Sequence, residues 1–299
     1  MSYNLLCVLG ATATGKTNLA VALARYFSGE IISADSRQIY RAMNIGTGKD
    51  LEEYGEIPFH LIDIHPAGYK YNVFEYQQDF QIAFKEVTAK DKLPILCGGS
   101  GLYLEAVLEN YEMQAVPENK ALRKELEEKS LEELVELLKK HKTLHNTTDT
   151  STKKRTIRAL EIATYESEHP QQKIEKITLN PLIVGIKFDV KQRRERITKR
   201  LHARLEEGMV DEVKNLIDSG VNPNDLIYYG LEYKYITLYL THQLSYDEMV
   251  SQLNTAIHRF AKRQMTWFRR MERKGIAIHW LDGNLSTEEK VAEVTQLWK

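Results

Sequence analysis

The stretch GATATGKT, residues 10–17, contains the residue types that hold a phosphate chain. Gly10, Gly15, Lys16 and Thr17 match the spacing G-x-x-x-x-G-K-[ST], in which glycines let backbone N–H groups point at an anion. Lys16 can neutralise phosphate oxygens, and the Thr17 hydroxyl can bind Mg²⁺. An apolar run precedes this phosphate loop and a helical pattern follows it, as the motif requires. The sequence therefore predicts a polyphosphate site, although the motif alone does not identify the polyphosphate.

Two more loops carry polar side chains directly after apolar runs that read as strands. Asp35 and Ser36 follow EIIS (30–33), and Ser100 lies in GGSGLY (98–103) after another such run. Ligands of parallel α/β sheets collect at the carboxyl ends of the strands. Asp35 could bind Mg²⁺, accept a proton from a nucleophile, or cap the next helix. GGSGLY could be part of the same site or only a tight turn into a helix. Beside a phosphate loop, the two loops together favour a shared site.

Basic residues are concentrated on predicted helix faces. One set recurs at spacings of 3, 4 and 4 within an arc of roughly 80°: Arg193, Arg196, Arg200 and Arg204. Another set lies opposite apolar residues in HRFAKRQMTWFRRMERK (258–274): Arg259, Lys262, Arg263, Arg269, Arg270 and Arg273. A third cluster is KKRTIR (153–158). Exposed helix faces usually mix both charges, so these sets favour a polyanion-binding surface over an ordinary solvated face.

The elements that must position these residues read as an α/β fold. Short apolar runs at 4–9, 30–33, 60–64, 94–99, 181–188 and 276–281 predict strands, and helical patterns lie near 16–27, 72–89 and 101–109. Strands separated by helices predict a mainly parallel sheet, of the type that carries a phosphate loop, flanked by helices. Residues 114–180 contain helical patterns without a strand pattern. We therefore expect a catalytic core from 1–113 and 181–299, and an all-helical insertion domain at 114–180.

Composition narrows the class of protein. The chain has 299 residues, of which 42% are hydrophobic and 28% charged, with a net charge of −1. These values are typical of a globular protein, and the neutral total hides the basic faces described above. No apolar run reaches the length of a membrane span, and the start lacks the features of a secretory signal. Cys7 and Cys97, each in an apolar run, are expected to be buried thiols. We expect a cytoplasmic protein without a membrane partner.

Together these stretches resemble one family, the bacterial tRNA dimethylallyltransferases, also called tRNA isopentenyltransferases. The likeness rests on the phosphate loop and on SADSRQIYRAMNIGTGK, HLIDI, GGSGLY, RTIRALE and AKRQMTWFR, which occur here in the family's order. It covers nearly the whole chain. The resemblance implies an enzyme that transfers a dimethylallyl group from dimethylallyl diphosphate to N6 of the adenosine just 3′ of the tRNA anticodon. It further implies that Mg²⁺ is needed and that the anticodon stem-loop is bound. We expect the enzyme to be a monomer.

The resemblance also implies catalytic and diphosphate-binding roles. Asp35 matches the general base on the adenine N6 amine, Ser100 stands near the leaving oxygen where the family usually has Thr, and Arg200 reaches the diphosphate. Thr17 would bind the metal. The whole loop would hold the diphosphate: Gly10, Ala11, Thr12, Ala13, Thr14, Gly15, Lys16 and Thr17.

By the same likeness, three groups of residues would contact tRNA. They are Asp35, Ser36, Arg37, Gln38 and Gly101 at the site; Lys124, Lys154, Arg155, Thr156, Ile157 and Arg158 in the insertion; and Lys262, Arg263, Gln264 and Arg269 in the basic 258–274 segment. One stretch departs from the family pattern. The family usually has Gly-Tyr-Lys or Gly-Tyr-Arg where this chain has Glu232 before Tyr233 and Lys234.

Three alternative functions remain open at this stage. An adenylate dimethylallyltransferase would do the same chemistry on a free nucleotide, but it would need neither the insertion nor the basic faces. A small-molecule kinase would use the phosphate loop for ATP. A non-catalytic RNA-binding protein would not depend on Asp35.

Overall fold

The structure, a computed structural model, describes residues 3–141, 149–169 and 177–299. The chain forms two compact units. The core unit consists of Met1–Tyr111 and Ile177–Lys299, and the helical unit consists of Glu112–Lys176. The sequence predicts a helical insertion at 114–180, and the compact helical unit spans 112–176. The difference at the C-terminal end is residues 177–180, which belong to the core unit. Among the described residues, no helix is long and apolar enough to cross a bilayer.

A parallel sheet forms the centre of the core unit. Its strands are β1 (Leu5–Gly10), β2 (Gly29–Ala34), β3 (Phe59–His60), β4 (Leu93–Gly98), β5 (Pro181–Lys187) and β6 (His279–Asp282). They are ordered β3-β2-β4-β1-β5-β6, and every neighbouring pair is parallel. The predicted mainly parallel, phosphate-loop type of sheet is therefore confirmed. Because β1 is central, the phosphate loop that follows it lies between the ends of β4 and β5.

Two predicted strands differ in extent from the observed ones. The run at 60–64 forms only the end of β3, because Leu61 and Asp63 have φ values of 61° and 56°, in the left-handed region. The run at 276–281 starts late, since β6 begins at His279. In both cases, an apolar segment outside the sheet was read as part of a strand.

Helices of the core unit cover both faces of the sheet. The described helices are α1 (Lys16–Phe27), α2 (Val73–Thr88), α3 (Gly101–Leu108), α7 (Val190–Glu206), α8 (Met209–Asp218), α9 (Pro223–Tyr229), α10 (Leu231–Leu240), α11 (Tyr246–Arg273) and α12 (Thr287–Trp298), with α4–α6 in the helical unit. The alternation along β1 explains the layers. Leu5, Cys7 and Leu9 join the apolar cluster that includes α2, α3, α7 and α11, whereas Leu6 and Val8 join the cluster with α1 and α12.

The helical unit has a small core of its own. Its helices are α4 (Lys120–Glu127), α5 (Leu131–His141) and α6 (Lys153–Glu168). Their leucines meet in one buried cluster with Ile157 of α6. Beside it, the buried Glu161 carboxylate binds Arg123, with the Arg123 Nη2 atom 2.8 Å away, and also pairs with Arg158. This ion cluster ties α4 to α6.

Candidate active site

The phosphate loop has the backbone conformation that its motif requires. Gly15 and Ala13 have φ values of 81° and 62°, which turn the chain between β1 and α1. A Cβ at Gly10 would lie 2.8 Å from the Thr14 Oγ1 atom, so a larger residue here would have to displace the Thr14 hydroxyl. The Thr14 hydroxyl donates to the Ala11 carbonyl at 2.8 Å and closes the turn. The loop ends at the N-terminus of α1, where backbone N–H groups and the helix dipole favour an anion.

Lys16 begins α1 and is half-buried beside the loop. Its Nζ atom donates to the Ala11 carbonyl at 3.0 Å. Burial lowers the pKa of Lys16, the nearby Cys97 and Asp35 raise it, and Arg200 lowers it further. Lys16, Asp35 and Arg200 therefore share one electrostatic environment, although they come from three separate elements.

Helix α7 directs two arginines of the predicted basic set toward this loop. The Arg196 Nε atom donates to the Ala13 carbonyl at 3.0 Å. Arg200 lies against Gly48, where an added Cβ would come within 1.7 Å of its Nη2 atom, and it is 3.7 Å from the Asp50 carboxylate. Arg204, the fourth member of the set, is paired with Asp50 and Glu207. Of the four arginines in this set, Arg196 and Arg200 thus lie on the phosphate-loop side of the candidate site.

The structure brings the loops after β2 and β4 into direct contact. The Ser100 Oγ atom accepts the Ser36 N–H at 2.9 Å and lies 3.3 Å from the Ser36 hydroxyl. Asp35, half-buried, accepts the Arg37 N–H on its Oδ1 atom at 2.9 Å. One carboxylate oxygen of Asp35 therefore stabilises the local turn. Residues 36–39 form a turn and not a helix, so Asp35 does not act as the helix cap considered above. Asp35, Ser36 and Ser100 nonetheless lie at the carboxyl edge of the sheet with the phosphate loop.

Arg37 and Gln38, close to Asp35 in the sequence, differ in the burial and the contacts of their side chains. The Arg37 guanidinium lies over the Tyr229 ring, 5.4 Å from its centre, and is half-buried. Gln38 is buried; it accepts the Ser33 hydroxyl at 3.0 Å and donates to the Gly48 carbonyl at 3.4 Å. The side chain of Gln38 thus supports the loop from inside, which argues against the tRNA contact expected for it.

Helix α11 carries the basic 258–274 segment with a clear division of faces. Ser245 and Glu248 form a capping box at its start, and the buried residues recur at three- and four-residue spacing from Met249 to Met271. We call the exposed cations the α11 basic face: Arg259, Lys262, Arg263, Arg269 and Arg273. The expected membership of Arg270 is corrected, because it pairs with the fully buried Glu105 of α3.

The two basic faces are neighbours. Thr198 of α7 donates to the Asn254 Oδ1 atom of α11 at 3.1 Å, so the helices pack side by side. Burial lowers the pKa of Arg193 on α7, and the nearby Arg269 of α11 lowers it further. The positive charges of the two helices therefore act on each other.

Gln264 and Trp267 lie on the inner side of α11. Gln264 is 6% exposed; its Oε1 atom accepts the Thr12 N–H at 2.9 Å, and its Nε2 atom donates to the Gly99 carbonyl at 2.8 Å. The Trp267 ring packs on Gly101, where a Cβ would be 2.4 Å away. The side chain of Gln264 is therefore occupied inside the protein, and the expectation that it contacts tRNA is corrected.

In the helical unit, the predicted tRNA contacts divide by exposure. Lys124, Lys154 and Arg155 are exposed. Thr156 and Ile157 are buried, so their side chains do not reach the surface, which corrects the expectation for both. Arg158 binds Glu161 and donates to the Val116 carbonyl at 2.9 Å, so its charge is used within the unit. The predicted contact surface spans every residue from 154 to 158, whereas only one face of α6 is exposed.

One residue of the site was not predicted. Glu232 is half-buried in the first turn of α10. Burial raises its pKa to about 7, its own backbone N–H and Arg200 lower it, and Asp35 raises it. It thus places a second carboxyl group near Asp35. The departure from the family pattern at this position was the available signal.

Glu212 of α8 is a second residue that was not predicted. It binds the loop at residues 44–46, close in sequence to Gly48, which contacts Arg200. Its carboxylate accepts the N–H groups of Asn44 and Ile45, both at 2.7 Å, and of Gly46 at 3.1 Å. The Tyr233 hydroxyl donates to the same carboxylate at 2.8 Å. No short motif marks such a residue, because the backbone groups that it binds lie 166 or more positions away.

A metal at this site would have to rely on few protein ligands. Within residues 3–141, 149–169 and 177–299, no group of three or more His, Cys, Asp or Glu side chains could hold an ion. The half-buried Thr17 hydroxyl stands in the first turn of α1. One hydroxyl beside an anion cradle fits Mg²⁺, which binds to few protein ligands and takes the rest from substrate phosphates and water.

Comparisons with known proteins agree with one another. The family model described as IPP transferase matches residues 38–271. The chain is 58% identical to tRNA dimethylallyltransferase 2 of Bacteroides fragilis, over 99% of this chain and 98% of that protein. It is 56% identical to tRNA dimethylallyltransferase 1 of Parabacteroides distasonis, over 99% and 98%. The crystal structure of the tRNA isopentenylpyrophosphate transferase from Bacillus halodurans matches with a TM-score of 0.73 and 30% identity, covering 99% of this chain and 95% of that one. The chain with this phosphate loop and these basic helices therefore belongs to the IPP transferase family, the tRNA dimethylallyltransferases.

Proposed function

We propose that this protein transfers a dimethylallyl group from dimethylallyl diphosphate to N6 of the adenosine just 3′ of the anticodon in tRNA. The observation that carries the proposal is the meeting of three loops at one sheet edge. The phosphate loop, the loop of Asp35 and the loop of Ser100 lie together there, beside two adjoining basic helices. Its family membership supports the same reaction.

The phosphate loop binds the diphosphate of the donor in this proposal. Backbone N–H groups and the N-terminus of α1 surround the anion, and Lys16 and Arg200 add two positive charges. Negative charge grows on the diphosphate as its bond to the allylic carbon breaks. Preorganised cations and donors act most strongly on that developing charge.

Asp35 accepts the proton in the proposed reaction. The N6 amine attacks the allylic carbon, the carbon–oxygen bond breaks, and diphosphate leaves with the bonding electron pair. The amine loses one proton to the Asp35 carboxylate as the new C–N bond forms. Since Oδ1 of Asp35 is held by the Arg37 N–H, we assign the proton transfer to Oδ2.

Thr17 is the protein ligand that we assign to Mg²⁺. The ion would neutralise charge on the leaving diphosphate when it is bound. We propose that Ser100, whose Oγ atom accepts the Ser36 N–H, turns its one hydroxyl hydrogen from the Ser36 Oγ atom to the leaving oxygen when the donor is bound.

The tRNA lies across the basic helices in this proposal. The α11 basic face and the exposed Lys124, Lys154 and Arg155 of the helical unit contact phosphates. The target adenosine leaves the anticodon-loop stack to enter the site, at a cost of a few kcal/mol that backbone contacts offset. A tRNA substrate implies a cytoplasmic location. We further propose that the enzyme works as a monomer.

The alternative acceptor with a specific chemical argument is a free adenine nucleotide, which the same loops could hold. The basic faces argue against a free nucleotide as the acceptor, because a small acceptor does not need an extended cationic surface. An assay with Mg²⁺, dimethylallyl diphosphate and unmodified tRNA, followed by nucleoside mass spectrometry, separates the two when a parallel reaction contains AMP. We expect N6-alkylated adenosine in the tRNA reaction only. Product from AMP alone would support the free-nucleotide enzyme, and ATP turnover without either product would support a kinase.

A further inference from the structure

Gln264 joins three elements of the candidate active site through one amide group. It comes from α11, and its two hydrogen bonds reach the phosphate loop at Thr12 and the end of β4 at Gly99. These partners lie 252 and 165 positions away along the chain. An added Cβ on Gly99 would lie only 2.4 Å from the Gln264 Nε2 atom. The close approach of the amide to this backbone therefore depends on glycine at position 99.

The chemistry of the contact requires an uncharged amide. One partner is a donor and the other an acceptor, and a carboxamide offers both functions in one planar group. A lysine or an arginine could not accept the Thr12 N–H, and a carboxylate could not donate to the Gly99 carbonyl. Because the group is buried, loss of either bond leaves an unsatisfied backbone atom at the site.

The position of Gln264 on its helix links two surfaces. Lys262 and Arg263, immediately before it, are exposed members of the α11 basic face. Ser100, one residue after Gly99, contacts Ser36. Thr12 lies in the loop next to Ala13, which accepts from Arg196. The amide thus connects the helix expected to bind RNA directly, by one hydrogen bond each, to both loops expected to bind the leaving group.

We propose that Gln264 is a positioning residue, which fixes the phosphate loop and the Ser100 loop relative to α11 and so aligns the diphosphate with the RNA-bound adenosine. This inference rests on the proposed function. It assigns Gln264 to catalytic alignment and not to tRNA affinity. A shift of about 1 Å between reacting groups can cost about 100-fold in rate, so a small loosening of these loops would be measurable.

The test uses Gln264→Met in the full-length protein, because methionine keeps the length and volume of the side chain without either hydrogen bond. Gln252→Met is the matched control, since Gln252 is exposed on the same helix. Both variants and the wild type are assayed for kcat, for the KM of dimethylallyl diphosphate and for tRNA affinity by filter binding. Inorganic diphosphate binding is measured by calorimetry. Each assay temperature lies well below the melting midpoint of that variant, so that unfolding does not enter the rates.

We expect Gln264→Met to lower kcat by about 10- to 100-fold and to weaken diphosphate binding, with tRNA affinity within about twofold of wild type. Gln252→Met should change none of these. Unchanged kcat with weakened tRNA binding would show that Gln264 is an RNA contact and overturn the inference. Unchanged kcat and affinities would overturn it as well, because the two hydrogen bonds would then be incidental. Failure of the wild type itself to modify tRNA would instead reject the proposed function.

Discussion

At the scale of single residues, Asp35 combines an observed structural role with the chemical role that we propose for it. Its Oδ1 atom holds the turn through the Arg37 N–H, and its position after β2 is set by the parallel sheet. The sequence could place Asp35 at the sheet edge, but it could not separate the two roles. Only the three-dimensional contact between Ser36 and Ser100 shows that the neighbouring loop completes the site.

Asp35→Asn tests the chemical role directly. Asparagine keeps an acceptor for the Arg37 N–H, so the turn should persist while the proton acceptor is lost. We expect kcat to fall by about 10²- to 10⁴-fold, with tRNA affinity within about twofold of wild type. Single-turnover kinetics and filter binding measure the two quantities. A parallel loss of both would mean that Asp35 serves binding and not proton transfer.

At the scale of elements, α10 carries a carboxyl group in an unfavourable environment. Burial raises the pKa of Glu232 from an ordinary value of 4.5 to about 7. The folded protein therefore binds this proton more tightly than the unfolded chain does. Free energy of unfolding is lost as the pH rises from about 4.5 to about 7, and the full loss remains above that range.

The substitution Glu232→Gln should remove this pH-dependent loss of the free energy of unfolding. We expect the variant to be more stable than wild type by about 1 to 2 kcal/mol at pH 8, after allowance for partial solvent exposure, which is a rise of several degrees in the melting midpoint. At pH 3.5 the two proteins should melt alike, since the wild-type carboxyl is then largely protonated in both the folded and the unfolded state. Thermal melts at the two pH values check this. An equal difference at both would attribute the effect to packing.

Elements with strong local signals were predictable, and those set by distant contacts were not. The phosphate loop and the parallel sheet follow from the spacing of glycines and apolar runs near β1. The strand expected at 60–64 was wrong beyond His60, because left-handed backbone at Leu61 has no hydrophobic signature. Likewise, Arg270 looked like any other cation of its helix face. Its partner Glu105 lies 165 positions away, which periodicity cannot reveal.

At the scale of the whole molecule, a net charge of −1 coexists with the α11 basic face. Positive charge is concentrated on one surface because α11 buries its apolar face and exposes cations on the other. Part of the acidic balance lies in the helical unit, around residues 125–136. Total charge therefore says little about the partner, whereas charge per face does.

Arg263→Ala should weaken tRNA binding and reduce the salt dependence of the binding constant by about one unit of slope, because one phosphate contact is lost. Affinity for inorganic diphosphate should stay unchanged, since the guanidinium lies on the exposed face of α11. Arg25→Ala is the control, because Arg25 pairs with Glu56 beside α1 and belongs to neither basic face. The measurement is filter binding across a salt series. An unaltered slope would show that Arg263 faces no phosphate.

The central place of β1 has a consequence for how the chain folds during synthesis. One edge of β1 pairs with β4. The other edge pairs with β5, where Val184 lies opposite Val8, and it stays unpaired until β5 has been synthesised. Roughly 70 residues separate Tyr111 from Pro181, so at about 5–20 residues per second the ribosome needs about 4 to 14 s to deliver the missing strand. During that interval, the nascent sheet exposes an apolar edge that can pair with other chains. The helical unit has its own core, and its early folding would draw the ends of this long loop together before β5 arrives.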